Sequence, residues 1–314
     1  MKKSLIALAV LAASGAAMAQ SSVTLYGVAD VVIHKDADVS AKMTSGGVST
    51  SRWGVKGSED LGGGLSANFN FEQGLDLTNG NIKGVAFGRQ ANVGFSGGFG
   101  EVKLGKTWNA YDDMAGAAND VFDSVLSSAR IAPSSNDYNG NPDSGIYYST
   151  PAMGGFSAAL GTSFKTGDDN LRASSFRVGY EGGPVYVGLG YENVSGDVTE
   201  LKNLRLNGTY DLGVAKLLAA YGQTKGASAA AGETKDFSLG VNVPLSAALV
   251  LSTGFTQVRP DAGGDNANSF AVGVNYSLSK RTSVYGGFRK DNDAAVVNVG
   301  GVESRFGVGV KHTF

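Results

Sequence analysis

Apolar and polar residues alternate with period two along most of the chain. Phe270, Val272, Val274, Tyr276 and Leu278 share one face, with Ala271, Gly273, Asn275 and Ser277 on the other. The same beat runs through Leu204–Leu212, Phe237–Val243 and Phe306–Phe314. Side chains of a β-strand point alternately to its two faces, so this predicts strands with one apolar and one polar side. The polar side is rich in Gly, Ser, Asn, Thr and charge. The strands read as about 9–11 residues, the length that crosses a bilayer when tilted.

The connections alternate in length as regularly as the strands alternate in polarity. Short turns are predicted at Leu61–Gly64, Gly97–Gly100, Met153–Gly155, Gly182–Pro184, Asp211–Gly213, Pro244–Ala247 and Leu278–Arg281. Longer polar loops lie at about 35–49, 76–86, 109–144, 165–173, 194–202, 224–235, 258–268 and 291–303. Seven turns and eight loops make fifteen connections, hence sixteen strands. An even strand number with short turns on one side and long loops on the other predicts an all-β, sixteen-stranded antiparallel transmembrane β-barrel. In hydrocarbon every backbone N–H and C=O needs an internal partner, so the sheet must close. Sixteen strands enclose a lumen wide enough for water. Tyr180, Tyr210, Tyr276 and Phe314 at one rim, and Trp53, Phe71, Phe164 and Tyr191 towards the other, fit interfacial girdles.

The N-terminus carries an export signal: Lys2 and Lys3, an apolar run from Leu5 to Ala13, and Ala17-Met18-Ala19 as the cleavage pattern. Residues 1–19 thus read as a cleaved signal peptide and residues 20–314 as one barrel domain. Glycine, at 47 of 314 residues, is about twice its usual share of roughly 7%, which suits long curved strands. With no cysteine, thiol chemistry and cysteine metal sites are excluded. The net charge of −2 gives nucleic acid no reason to bind. His34, placed at the start of the first external loop, and His312 are the only histidines, which argues against a histidine triad or multi-histidine metal site. Gly100-Glu-Val-Lys-Leu-Gly-Lys-Thr107 fits a phosphate-loop pattern, but its glycines interrupt an alternating strand with no helix after it.

Several stretches together resemble the general diffusion porins of β-proteobacteria. They are Gln20-Ser-Ser-Val-Thr-Leu-Tyr-Gly-Val-Ala-Asp30, Ser51-Arg-Trp-Gly-Val-Lys-Gly-Ser-Glu-Asp-Leu-Gly-Gly-Gly-Leu65 and Phe87-Gly-Arg-Gln-Ala-Asn-Val-Gly-Phe-Ser96. Gly98–Gly105, Tyr276–Gly286 and Gly309-Val-Lys-His-Thr-Phe314 follow in the family's order across residues 20–314. The resemblance implies a homotrimer in the outer membrane of a Gram-negative bacterium, its third external loop folded into the lumen. It also implies contact with outer-membrane lipid and lipopolysaccharide, passage of inorganic ions and small hydrophilic solutes, no cofactor, and no enzymatic step. The terminal Phe314 resembles the signal read by the outer-membrane assembly machinery.

On that reading the 36-residue segment 109–144 is the constriction loop, carrying Asp112, Asp113, Asp120, Asp123 and Arg130. Arg52 and Arg89 match the family's wall arginines, and Arg177 and Arg205 share the lumen parity. Arginine keeps its charge when crowded by other cations. Arg89 has the parity of Ala91 and Val93, so it requires either a bulge or a place above the hydrocarbon. Family members often carry another arginine before the strand after the long loop. Asn141-Pro-Asp-Ser-Gly145 has none, and Arg130 is the candidate to replace it, so the sign of ion preference stays open. Two alternatives fit less well. One is a substrate-specific channel or an adhesin; for sugars such a channel needs an aromatic slide along the lumen, whereas most aromatics here have outward parity. A barrel hydrolase needs a nucleophile and base on the loops, and His34 has no partner motif.

Overall fold

The computed structural model describes residues 22–165, 170–197, 200–226 and 232–314; the export signal expected at residues 1–19 lies outside the described residues. Within them the period-two pattern becomes a closed barrel. Its first half comprises β1 (Ser22–Asp36), β2 (Arg52–Gly62), β3 (Leu65–Leu75), β4 (Gln90–Gly97), β5 (Gly100–Lys106), β6 (Gly145–Ser149), β7 (Phe156–Ser163) and β8 (Arg172–Gly182). The second half comprises β9 (Val185–Ser195), β10 (Glu200–Asp211), β11 (Lys216–Gly226), β12 (Thr234–Pro244), β13 (Leu249–Pro260), β14 (Ala267–Ser277), β15 (Thr282–Asp291) and β16 (Ser304–Thr313). Each strand pairs antiparallel with its sequence neighbours. The ring shuts where β1 meets β16, from Val28 opposite Thr313 to Asp36 opposite Arg305. Two short strands, Lys42–Ser45 and Ile82–Lys83, extend the wall inside the first and second external loops.

The alternation places apolar side chains outside. Leu25, Phe71, Val93, Phe95, Leu206, Leu239, Phe255, Phe270 and Val308 are all exposed on the barrel exterior, whereas Glu192, Asn203, Arg205, Asn207, Asp236 and Thr256 are buried within. This inversion of a soluble protein is what a lipid solvent selects. The first turn closes through Gly62, Gly63 and Gly64, all at positive φ (+84°, +63° and +79°), which glycine alone adopts without penalty. Phe314 completes the last strand by exchanging backbone hydrogen bonds with Gly27 at 3.0 and 3.1 Å. A side chain at Gly27 would collide with the Phe314 ring, so the glycine makes the seat for the terminal aromatic.

Two expectations need correction. The strands β4 to β7 have 8, 7, 5 and 8 residues, short of the 9–11 the pattern predicts. They flank the segment 107–144, where the chain leaves the wall early to enter the lumen. His34 does not start an external loop. β1 runs on to Asp36, so His34 is a buried residue of the lumen wall, 3.2 Å from Asp36.

Candidate functional site: the pore constriction

The long third loop folds inward and lies against the inner faces of β7 to β15. Its path is fixed by a series of contacts with the polar wall. Asn109 Nδ2 donates to Glu192 Oε1 at 2.6 Å, and the Ala110 amide to Ser175 Oγ at 3.0 Å. The Val121 amide reaches Ser252 Oγ at 2.6 Å, and the Ser128 and Thr256 hydroxyls meet at 2.9 Å. The far end of the loop reaches the first external loop, where the Val125 amide donates to the Gly47 carbonyl at 2.9 Å. Small apolar cores form between loop and wall, one from Val121, Leu126 and Ala271, another from Ile131, Val258, Ala267 and Ala295.

The loop decides the fate of the predicted residues on that wall. Arg205 is fully buried, its guanidinium donating to Ser134 Oγ at 2.7 Å and Asn119 Oδ1 at 2.9 Å and pairing with Asp236 at 3.1 Å. It holds the loop and does not face the open lumen, because the loop lies between. Gly190 and Gly222 stand opposite Arg205 on the neighbouring strands. A side chain on Gly222 would overlap Ser134, so this gap in the wall is filled by the loop. Asp120 is likewise not a lumen residue. It is 3% exposed and accepts hydrogen bonds from Ser127 Oγ at 2.6 Å and Ser128 Oγ at 3.1 Å, seated over Gly254. Arg177 pairs with Asp113 at 2.9 Å and donates to Ser157 Oγ at 3.0 Å; Tyr147 donates to the same carboxylate at 2.6 Å.

The opposite side of the lumen stays open. A cavity of about 830 Å³ lies between the loop and a wall made by β1, β2, β16 and the first and second external loops. The wall contributes Lys42, Arg52, Lys83, Arg89 and Arg305; the loop contributes Asp112, Asp113, Asp123 and Arg130. Arg52 and Arg89 share one carboxylate, Glu72, at 3.3 and 2.7 Å. Arg52 Nη1 also donates to Thr50 O at 2.8 Å, and the Arg89 guanidinium lies 4.8 Å from the Trp108 ring centroid. The parity conflict at Arg89 resolves without a bulge. Regular β4 begins only at Gln90, and Arg89 stands in the bend before it, free to turn inward.

On the loop side, Tyr138 donates to Asp112 Oδ1 at 2.7 Å. Burial pushes the Asp112 carboxyl up to about 6. Asp123 is exposed to the lumen and accepts from Asn119 Nδ2 at 2.7 Å. It ends a run of three residues with left-handed backbone, Val121, Phe122 and Asp123 at φ of 45°, 61° and 54°. Each costs about 1–2 kcal/mol for a residue with a Cβ. The Ser252 hydrogen bond and the packing of Val121 hold this strained tip in place.

Sequence reasoning missed Glu72, Lys42, Lys83 and Arg305. Glu72 was legible, since it shares the lumen parity of Asn68 and Asn70, as was Arg305, which alternates with Phe306. Arg305 binds Asp36 through two hydrogen bonds, at 2.6 and 2.9 Å.

A closed sixteen-stranded barrel with an apolar outside, a polar lumen and a loop folded across it defines a channel protein of the bacterial outer membrane. A family model described as Gram-negative porin matches residues 5–295. Outer membrane porin protein 32 of Delftia acidovorans is 37% identical over 357 aligned positions, covering all of both chains. An outer membrane porin protein of Bordetella pertussis is 31% identical over 393 positions, again end to end. An anion-selective porin from Comamonas acidovorans matches with a TM-score of 0.78 at 30% identity, over 94% of this chain and 100% of that one. The trimer form of OmpT from Vibrio cholerae, at 18% identity and a TM-score of 0.73 over 94% of this chain and 99% of that one, shares the fold. The chain belongs to the Gram-negative porin family, and it is an outer-membrane diffusion channel.

Proposed function

We propose that this channel prefers anions. The observation that carries the reading is the charge lining the constriction cavity, six permanent cations against three carboxylates. Glu72 and Asp36 behind the wall offset part of that excess without reversing it. Charged rings of this kind set ion preference by raising the local concentration of the opposite sign. Arg52 and Arg89 are the filter's fixed cations, with Arg130 adding positive charge from the loop; Asp112 and Asp123 face them, producing a field across the pore that orients polar solutes. The likeness to a porin described as anion-selective supports this sign. Reversal potential under a KCl gradient across a planar bilayer tests it. A potential of anion sign is expected; a cation-selective current would overturn the proposal.

The same reading gives a homotrimer of passive channels with no chemical step. The short strands β4 to β7 support the assembly. Five residues of β6 rise about 17 Å at roughly 3.3 Å each, less than the apolar band of about 25 Å on such barrels. A neighbouring protein surface, rather than lipid, suits so low a wall. Phe314, seated on Gly27, is proposed as the residue presented to the assembly machinery, and lipid and lipopolysaccharide surround the remaining exterior.

A further inference from the structure

A second polar cavity opens in the lumen wall on the short-turn, periplasmic side of the constriction. It has a volume of about 370 Å³ and is lined by Thr24, Lys56, Asn68, Asn70, Asn92 and Lys103, among others. The register builds it as two adjacent rows. Thr24, Lys56, Asn70 and Asn92 stand side by side across β1 to β4. Ser58, Asn68, Gly94 and Lys103 form the row nearer the turns.

Among the described residues Lys56 makes no ion pair, and its ammonium lies 5.2 Å from the Tyr26 ring centroid. Lys103 pairs with Glu101 at 2.8 Å and lies 5.1 Å from the Tyr147 ring centroid. Two ammonium groups and one carboxylate leave a single positive charge, suited to one carboxylate on a ligand. The carboxamides supply the remaining chemistry. Asn68 donates to Ser96 Oγ at 2.8 Å, and Asn92 donates to the Lys106 carbonyl at 3.1 Å. Among the described residues nothing donates to their side-chain oxygens. Asn70 is the reverse: its oxygen lies 2.9 Å from the Tyr26 hydroxyl, while its NH₂ has no acceptor among the described residues. Free acceptors beside a free donor match hydroxyl groups, which both give and accept.

We propose that this cavity is a transit site for a small polyhydroxylated monocarboxylate, a sugar acid, on the periplasmic side of the filter. The site rests on the chain being a water-filled channel. Tyr26 joins it to the filter, since its hydroxyl is also 2.9 Å from Glu72 Oε2.

The test is block of single-channel KCl current by gluconate added from the short-turn side, with acetate as the probe that lacks hydroxyls. Wild-type channels are expected to show gluconate block that weakens about tenfold, or 1.4 kcal/mol, in K56Q/K103Q. Asn70→Ala, which keeps both lysines, is expected to weaken gluconate block and leave the acetate response unchanged. Lys56→Arg, retaining the charge, is expected to keep it. Heat-modifiable electrophoretic mobility checks that each variant is folded. Equal gluconate block in wild type and K56Q/K103Q overturns the proposal, as does acetate acting as strongly as gluconate. Absence of KCl conductance in every folded protein would instead remove the channel reading on which the site rests.

Discussion

Glu72 places one negative charge between the two arginines that dominate the open side of the pore. It is almost fully buried, and the Tyr26 hydroxyl lies beside its second oxygen. Its charge lets Arg52 and Arg89 approach each other, so it acts both as a structural clamp and as a brake on the positive field. In water a unit charge about 4 Å from an ion acts with about 1 kcal/mol, or about fivefold in local ion concentration. Arg52→Ser is therefore expected to lower anion preference by up to this factor, and Glu72→Gln to raise it. Both follow from reversal potentials in the same KCl gradient. Asp112 adds a pH dependence. Its carboxyl, lifted to about 6 by burial, carries negative charge above that pH and loses it below. Anion preference is expected to rise as pH falls through 6, and Asp112→Asn to abolish the step. A step of unchanged size in Asp112→Asn would assign the titration to another group.

Among the elements, the third loop is held by a buried ion pair rather than by an apolar core of ordinary size. Arg205 on β10 and Asp236 on β12 meet across Gly222 on β11, and Ser134 of the loop hydrogen-bonds both. Removing one partner of such a pair strands the other and costs about 3–5 kcal/mol. Asp236→Ala is expected to loosen the loop, giving a larger and noisier conductance while the barrel remains heat-modifiable. Gly222→Val should act similarly, because its side chain occupies the place of Ser134. A variant with wild-type conductance and noise would show that the loop is held elsewhere. Left-handed backbone at Val121–Asp123 is maintained by the Ser252 hydrogen bond and the packing of Val121, and it turns Asp123 towards the permeating ions.

Taken as a whole, the barrel has an uneven wall. It is low from β4 to β7, next to the origin of the inserted loop, and tall from β9 to β15. The outer face of β6 to β9 carries two apolar grooves. Leu160 and Phe176 line one, Met153 and Phe156 the other. In the proposed homotrimer a neighbouring copy over this face removes the mismatch between short strands and thick hydrocarbon. Leu160, 59% exposed, gives the direct test. Leu160→Arg is expected to convert trimers to folded monomers in light scattering after detergent extraction. Trimers of undiminished stability would place the interface on another face.

The closed barrel was legible in the order of residues alone, because each of its causes is local. Alternation assigns every strand residue to lipid or water, and turn residues such as Gly62–Gly64 set where the chain reverses. The fifteen connections then specify the sixteen strands. Parity also reached Arg52; Glu72 and Arg305 sit within the same regular alternation and were legible there, although sequence reasoning missed them. The interior of the barrel was not legible in this way. Whether Arg205 and Asp120 meet water or protein depends on the path of the third loop. Arg89 turns inward from a bend, where alternation has no force. The loop's path is set by hydrogen bonds such as Ser128 to Thr256 and Val121 to Ser252, between residues more than a hundred positions apart. Periodicity carries information over one strand; contacts across the lumen exist only once the ring has closed and brought distant strands within reach.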